Sequence, residues 1–259
     1  MNVTGVIKLM VLLLALQVLW LSCKKDDVNR EPQATVITAT GDISSKLNEF
    51  RQLLGAALNT TTGQTSGRRE INWDGVPDQF ALQSLPANFF NPTESGSQQS
   101  LQRGFVYQSS GDFRVSAAGF KEVNANAAAE FASFSGNKSF ANVSSALWTT
   151  SFQVAGQLTA ATVKGFGVVF TDVDAANTSS LEFFDVNDKS LGKFFAPVHD
   201  NSSPHSFLGV QFSNARISKV KIAHGNGALI AGGKDISDGG LNDLVVLDDF
   251  LYDEPLAKQ

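Results

Sequence analysis

The sequence predicts an all-β sandwich that follows a single helix, and three observations indicate this class. After Arg69, bulky apolar residues recur at every second position, which is the spacing of half-buried strands. Phenylalanine, at 20 residues, far outnumbers tryptophan and tyrosine, and it favours strands. Turn residues separate short strand-like runs with no helical pattern between them, so paired sheets are favoured over a parallel α/β sheet.

The one clear helical pattern lies ahead of the strands and predicts a helix over residues 43–58. Asp42 or Ser44 is the candidate cap at its start, and Gly55 interrupts the pattern late. The apolar residues at helical spacing are Ile43, Leu47, Phe50, Leu53, Leu54 and Leu58.

Two stretches have the pattern of β-hairpins. In residues 103–117, Ser-Gly-Asp turn chemistry separates an arm with Phe105 and Tyr107 from an arm with Phe113 and Val115. In residues 180–198, the turn lies at Asn187, Asp188 and Lys189. The remaining strand runs cover residues 148–154, 165–173, 207–213, 216–224 and 241–252.

The amino-terminal segment predicts export. Residues 9–21 are apolar except for Gln17, and at about 1.5 Å per residue they span roughly 20 Å, short of the ~30 Å hydrocarbon core. The junction Ser-Cys-Lys-Lys-Asp-Asp around Cys23 resembles a lipoprotein signal of the Bacteroidetes type, although Trp20 stands where such signals usually carry leucine. The alternative is an ordinary cleaved signal peptide with an unrelated cysteine.

The lipoprotein resemblance implies a signal peptide over residues 1–22 and a lipidated Cys23. Residues 23–40 are then predicted to be a tether, and residues 41–259 are predicted to form a single sandwich domain that includes the helix. The expected location is the bacterial cell envelope. We expect the protein to be anchored by lipid to the outer membrane, on either its periplasmic or its surface face.

Cysteine usage and charge exclude several classes of function. Cys23 is the only cysteine, so the mature domain has no internal disulfide, thiolate zinc site or cysteine nucleophile. The net charge of −5 is spread over a chain of low charge density, and no basic stripe is present for binding nucleic acid.

Several segments between residues 45 and 255 resemble a group of exported bacterial proteins, many of which carry a PEP-CTERM sorting tail. The segments include GRREINWDGVPD, LPANFFN, VKGFGVVFTDVDAANTSSLEFFDVNDKSLGKFFAP and VVLDDFLYDEP. The resemblance implies a jelly-roll sandwich similar to galactose-binding-like and carbohydrate-binding modules. It transfers no catalytic residue.

A structural calcium ion is the cofactor that the oxygen-bearing residues predict. Calcium takes six to eight oxygen ligands, and in jelly rolls of the resembled kind the first and last strands are often neighbours. The candidate ligands on those strands are Glu70, Asn72, Asp74, Asp248 and Asp249, with Asp253 beside them. Asp172 with Asp174, and the turn 185–188, are separate possibilities. Ordinary acidic edges and turns remain an open alternative for each set.

Sequence patterns for catalysis are weak. His199, His205 and His224 lack a metalloprotease or serine-hydrolase context, and we interpret them as exposed loop residues. Asp248 and Asp249 are consecutive, so on a regular strand they would face opposite sides, which does not suit a glycosidase pair.

The expected function is non-catalytic binding or adhesion in the envelope, with carbohydrate as the ligand. Trp73, Trp148, Tyr107 and Tyr252 are candidate sugar platforms, but the same residues suit the core. An envelope glycan hydrolase or esterase, and a purely structural envelope protein, are the alternatives.

Overall fold

Two antiparallel sheets packed face to face account for the period-two pattern after Arg69. The computed structural model describes residues 31–107, 110–127 and 129–258, which form an all-β jelly-roll sandwich with one α-helix. The predicted signal peptide and the lipidation site Cys23 lie outside the described residues. Within these described ranges, no helix has both the length and the apolar character that crossing a membrane requires.

Each sheet contains seven strands. The strands of sheet A are β1 (Ala34–Thr40), β2 (Arg68–Ile71), β4 (Phe113–Ser116), β5 (Ser139–Asn142), β8 (Gly165–Thr171), β11 (His205–Phe212) and β13 (Val246–Asp253). The strands of sheet B are β3 (Phe105–Tyr107), β6 (Leu147–Gln153), β7 (Ala160–Thr162), β9 (Ser180–Phe184), β10 (Ser190–Phe195), β12 (Lys219–Ala223) and β14 (Leu256–Ala257). The helix α1 covers Ser44–Leu54, and two short 3-10 helices cover Asp78–Ala81 and Gln99–Leu101.

The order of strands brings distant parts of the chain together. Sheet A runs β1-β11-β8-β13-β5-β4, with β2 also pairing with β13. Sheet B runs β10-β9-β12-β6-β7-β14, with β3 also pairing with β6. The first strands of the chain therefore pair with the last long ones, as expected for a jelly roll.

The main core lies between the two sheets and is dense in aromatic rings. Ile71 and Trp73 enter it, as the sequence predicts, and both are buried. The indole of Trp73 stacks on Phe140 with ring centroids 4.0 Å apart and meets Phe250 edge-on. Its Nε1 donates to the Asp248 carbonyl at 2.9 Å, so the one polar atom of this side chain is satisfied inside the core.

A second apolar cluster lies on the outer face of sheet A, beneath α1. Phe50 of the helix packs there with Val169 and Leu251, which explains why β8 is buried on both faces. Gly167 and Gly209 make room for the ring, since a Cβ on either would lie within 3 Å of Phe50. Helix packing on the sheet thus depends on two positions without side chains.

The helix and the first strand differ from their predicted bounds. The helix ends at Leu54 instead of residue 58, because Gly55 adopts φ 138° and its N–H closes the last turn on the Arg51 carbonyl. The end of the predicted tether, Ala34–Thr40, is β1, whose full length pairs with β11. This segment, ATVITAT, is rich in β-branched residues that favour strands, and β11 supplies its hydrogen bonds, so it forms an edge strand.

The first predicted hairpin is wrong, whereas the second is confirmed. The two arms of the first predicted hairpin belong to different sheets, since β3 pairs with β6 and β4 pairs with β5. The rings of Tyr107 and Phe113 instead stack across the core with centroids 4.4 Å apart. In the second hairpin, β9 pairs with β10, and the Asp185 carboxylate accepts the N–H groups of Asn187 and Lys189 in the turn.

Candidate metal centre

One end of sheet A gathers loops from four parts of the chain. Thr171, the last residue of β8, pairs with His205 at the start of β11 and with Val246 at the start of β13. The loop after β8 and the loops before β11 and β13 therefore leave the sheet at the same end. Segment 117–138 joins them, since the Thr171 hydroxyl donates to the Ala132 carbonyl at 3.2 Å.

Five carboxylates and one histidine meet among these loops, and we call them the acid cluster. They are Glu130, Asp172, Asp174, Asp235 and Asp243, with His199. They fall into three overlapping groups of three, and in each group one ligand atom per residue lies within 4.8 Å of the other two. Asp172, Asp174 and Asp235 each belong to two groups, so the set is contiguous.

Asp172 is the central member of the acid cluster. Its backbone has φ 72°, and its N–H donates to the Pro204 carbonyl at 2.8 Å, which holds the residue in this turn. Only 6% of the residue is exposed, and Oδ2 is buried with no hydrogen-bond partner among the described residues. Oδ2 of Asp174 is in the same situation. Buried carboxylate oxygens without donors need either a proton or a ligand that supplies positive charge.

His199 orients Asp174. Its Nε2 lies 2.8 Å from Asp174 Oδ1, and its Nδ1 lies 2.9 Å from the Asp200 carbonyl. Both neighbours are acceptors, so the doubly protonated imidazolium satisfies both contacts. Burial lowers the pKa of His199, but the hydrogen bonds to Asp200 and Asp174 outweigh it and raise the pKa overall.

Main-chain N–H groups hold the remaining two aspartates in place. Asp235 accepts from Leu244 and Ser237, each at 2.6 Å, and Asp243 accepts from Asp174 and Ala175, each at 3.2 Å. Both carboxylates are fully buried. The loop that carries them is therefore ordered around its acids before any ligand arrives.

The electrostatics of the acid cluster are unfavourable without a counterion. Burial, followed by the charge of Asp174 and by a side-chain hydrogen bond with Glu130, raises the pKa of Asp172 to about 9. Burial is also the main reason that the pKa values of Glu130, Asp174 and Asp243 are raised. A hard divalent cation relieves this repulsion with the oxygen ligands that it prefers.

Two of the residues that the sequence predicts as calcium ligands, Glu70 and Asp249, contact the same arginine. As expected, β2 and β13 are neighbours, and the guanidinium of Arg51 lies 2.9 Å from Glu70 and 3.5 Å from Asp249. Asp74 instead accepts the N–H of Asn137 at 2.8 Å, and Asn72 is exposed. The positive charge at this place is supplied by the protein itself.

Asp248 and Asp249 do not face opposite sides of their strand, so that expectation is wrong. The register of β13 shifts between Leu247 and Phe250, and this bulge turns both carboxyl groups towards segment 134–135. The two groups are in hydrogen-bonding contact. Burial, followed by the charge of Asp249, raises the pKa of Asp248 to about 9.

This buried pair makes stability depend on pH. The folded-state pKa of Asp248, about 9, lies above the 3.8 of a free aspartate, so the folded protein holds an extra proton between these values. The free energy of unfolding should therefore fall as the pH rises from about 4 to about 9. Asp248→Asn, which needs no proton, should raise it at pH 8 by about 1–3 kcal/mol and flatten the pH profile.

Urea unfolding at pH 5 and pH 8 measures this effect. The variant and the unmodified protein should differ little at pH 5 and clearly at pH 8. An equal difference at both pH values would show that Asp248 is not protonated in the folded state.

The other sequence candidates are buried structural groups. Trp73, Trp148, Tyr107 and Tyr252 all lie in the core, so none of them is a surface platform for sugar. The expectation that His224 is exposed is wrong, since it is buried and its Nδ1 contacts the Val245 carbonyl at 2.7 Å.

The sequence predicts part of the acid cluster. Asp172 with Asp174 is a separate calcium possibility in the sequence analysis, but Glu130, Asp235 and Asp243 were not predicted. The run DISDGGLND over 235–243, rich in aspartate and glycine, is the signal that points to the last two.

Comparison with known proteins adds no assignment. No protein-family model matches the chain, and no curated protein is significantly similar to it.

Proposed function

We propose that the protein is a non-catalytic binding protein of the bacterial envelope whose loop end is organised by bound calcium. The observation that supports this most directly is Asp172, a buried carboxylate with an unpartnered oxygen among four other carboxylates. One cation there would connect segment 117–138 with the loops after β8 and before β13. Such a cross-link stabilises the folded state by mass action.

Calcium suits the acid cluster better than zinc or magnesium. The available ligands are carboxylate oxygens, and the one imidazole is hydrogen-bonded to Asp174 and Asp200. Zinc prefers nitrogen and sulfur ligands, and magnesium demands octahedral geometry and retains several waters. Several protein carboxylates around a buried centre match the flexible coordination of calcium.

The biological role that we propose is carbohydrate binding or adhesion, with the protein held at the outer membrane through lipid on Cys23. Deep burial of Asp172, Asp235 and Asp243 suits a cation that shapes the loops better than one that meets substrate. The calcium ion then acts on ligand binding through loop order.

Isothermal titration of the chelator-treated protein with calcium tests the cation proposal. We expect saturable binding, weaker binding of magnesium, and at least a tenfold loss of affinity in Asp174→Asn. Asp188→Asn, in the exposed turn of the β9–β10 hairpin, is the matched control and should bind as the unmodified protein does. No heat of binding at millimolar calcium would refute the metal centre.

A glycan array probed with and without a chelator tests the role. We expect bound glycans whose signal falls when calcium is removed. An array without any bound glycan in either condition would refute carbohydrate binding. The metal centre would still be tested by the calcium titration.

A further inference from the structure

A small polar cleft lies at the end of sheet A opposite to the acid cluster. It is found where β8 begins at Gly165 and β13 ends at Asp253, and its volume is about 190 Å³. This is below the roughly 300–1,000 Å³ of pockets for drug-sized ligands. The cleft has room for one small ring.

Asp253 is held in the cleft with one oxygen left to accept. Its Oδ1 accepts the N–H groups of Lys164 at 2.6 Å and Gly165 at 2.9 Å. Its Oδ2 accepts from no side-chain donor among the described residues. It is not among the atoms that are both buried and unpartnered, so a ligand can reach it. A fixed carboxylate oxygen of this kind selects a ligand that carries a hydrogen-bond donor.

Hydrogen-bond donors also line the cleft. The guanidinium of Arg216 is fixed on Thr162, with Nε 2.6 Å from the hydroxyl and Nη2 2.5 Å from the carbonyl, which leaves Nη1 to donate. In the part of the chain that the structure describes, the Lys164 ammonium and the Gln211 amide have no side-chain partner. Glu254 also lines the cleft, but Arg69 neutralises it at 2.7 Å.

Part of the lining of the cleft is aliphatic. Leu53, which is 37% exposed, and Leu256 contribute to it. A ring with apolar C–H groups on one face and hydroxyls at its edge matches such a lining.

We propose that this cleft binds one pyranose residue that bears a carboxylate, a uronic acid. Its hydroxyls would donate to Asp253 and accept from Arg216 and Gln211, and its carboxylate would pair with Lys164. Two cationic side chains against one unpaired carboxylate give the cleft a local positive excess in a protein of net charge −5. Because the ligand class is carbohydrate, the assignment rests on the proposed function.

The lining favours a sugar acid over inorganic phosphate. Both could pair with Lys164 and Arg216, but only the sugar offers several hydroxyl protons to the free oxygen of Asp253. Phosphate would place a second negative charge beside that oxygen.

Saturation-transfer NMR and calorimetry of the purified protein with galacturonate, glucuronate, galactose, glucose and phosphate test the assignment. We expect a uronate to bind at least tenfold more tightly than its neutral hexose, and phosphate not to compete with it. Lys164→Gln should abolish that preference, and Asp253→Asn should weaken uronate and hexose alike. Lys193→Gln, on β10 outside the cleft, should change neither.

The outcomes separate the two proposals. Glycan binding that survives Lys164→Gln, Gln211→Ala and Asp253→Asn, each confirmed as folded by circular dichroism, would refute the cleft and leave the carbohydrate function standing. Competition by phosphate with no preference for uronates would also refute the cleft. The function itself fails if no glycan binds the unmodified protein.

Discussion

Asp172→Asn should stabilise the calcium-free protein and abolish most of the stabilisation that calcium confers. In the absence of a cation, the raised pKa of about 9 means that Asp172 must bind a proton when the protein folds at neutral pH, and asparagine avoids this cost. Asparagine keeps the shape of the side chain and tolerates the positive φ of this position. The variant also lacks the carboxylate that a cation would bind. It should therefore be more stable than the unmodified protein without calcium, and it should gain less stability when calcium is added.

The expected sizes can be measured by thermal unfolding. At pH 7, avoiding about 1–2 kcal/mol of this protonation cost corresponds to a rise of roughly 2–8 °C in Tm for a domain of this length. In the unmodified protein, calcium at 100 times its Kd adds about 2.7 kcal/mol, or roughly 5–10 °C. The calcium response of the variant should be a small fraction of this.

Asp248→Asn is the matched control, since Asp248 is also buried with a raised pKa but lies outside the acid cluster. It should leave the calcium response intact. If Asp172→Asn raises Tm while calcium has no effect on the unmodified protein, then protons, and not a cation, neutralise the acid cluster.

Glu254→Gln should destabilise the protein by about 3–5 kcal/mol, because it leaves a buried arginine without its counterion. Arg69 is fully buried, and its Nη2 and Nε lie 2.7 and 2.8 Å from the two oxygens of Glu254. The glutamine amide would direct an N–H group at the guanidinium. The carbonyls of Thr61 and Gln102, which also accept from Arg69, cannot supply the missing charge.

Urea unfolding with two further variants isolates this effect. Asp112→Asn removes the charge from the partly exposed pair with Arg114 and should cost no more than about 1 kcal/mol. Replacing both Arg69 and Glu254 with apolar residues of similar size should recover much of the loss. A loss below 1 kcal/mol in Glu254→Gln would mean that water reaches Arg69 in the folded protein.

The sequence by itself determined the sandwich and much of its core. Alternation at two-residue spacing places every second side chain on one face, so Ile71, Phe166 and Phe170 could be assigned to the interior without coordinates. The β9–β10 hairpin followed from local turn chemistry. These features depend on neighbours in the chain, and local pattern is sufficient for them.

Only the tertiary structure decided which strands pair and which acids meet. The arms at Phe105 and Phe113 read as one hairpin but lie in different sheets, because pairing depends on strands far away in sequence. The acid cluster joins Glu130 to Asp243 through loops that only the jelly-roll topology brings to one end. No local periodicity encodes such contacts, since loop side chains meet only after the sheets have formed.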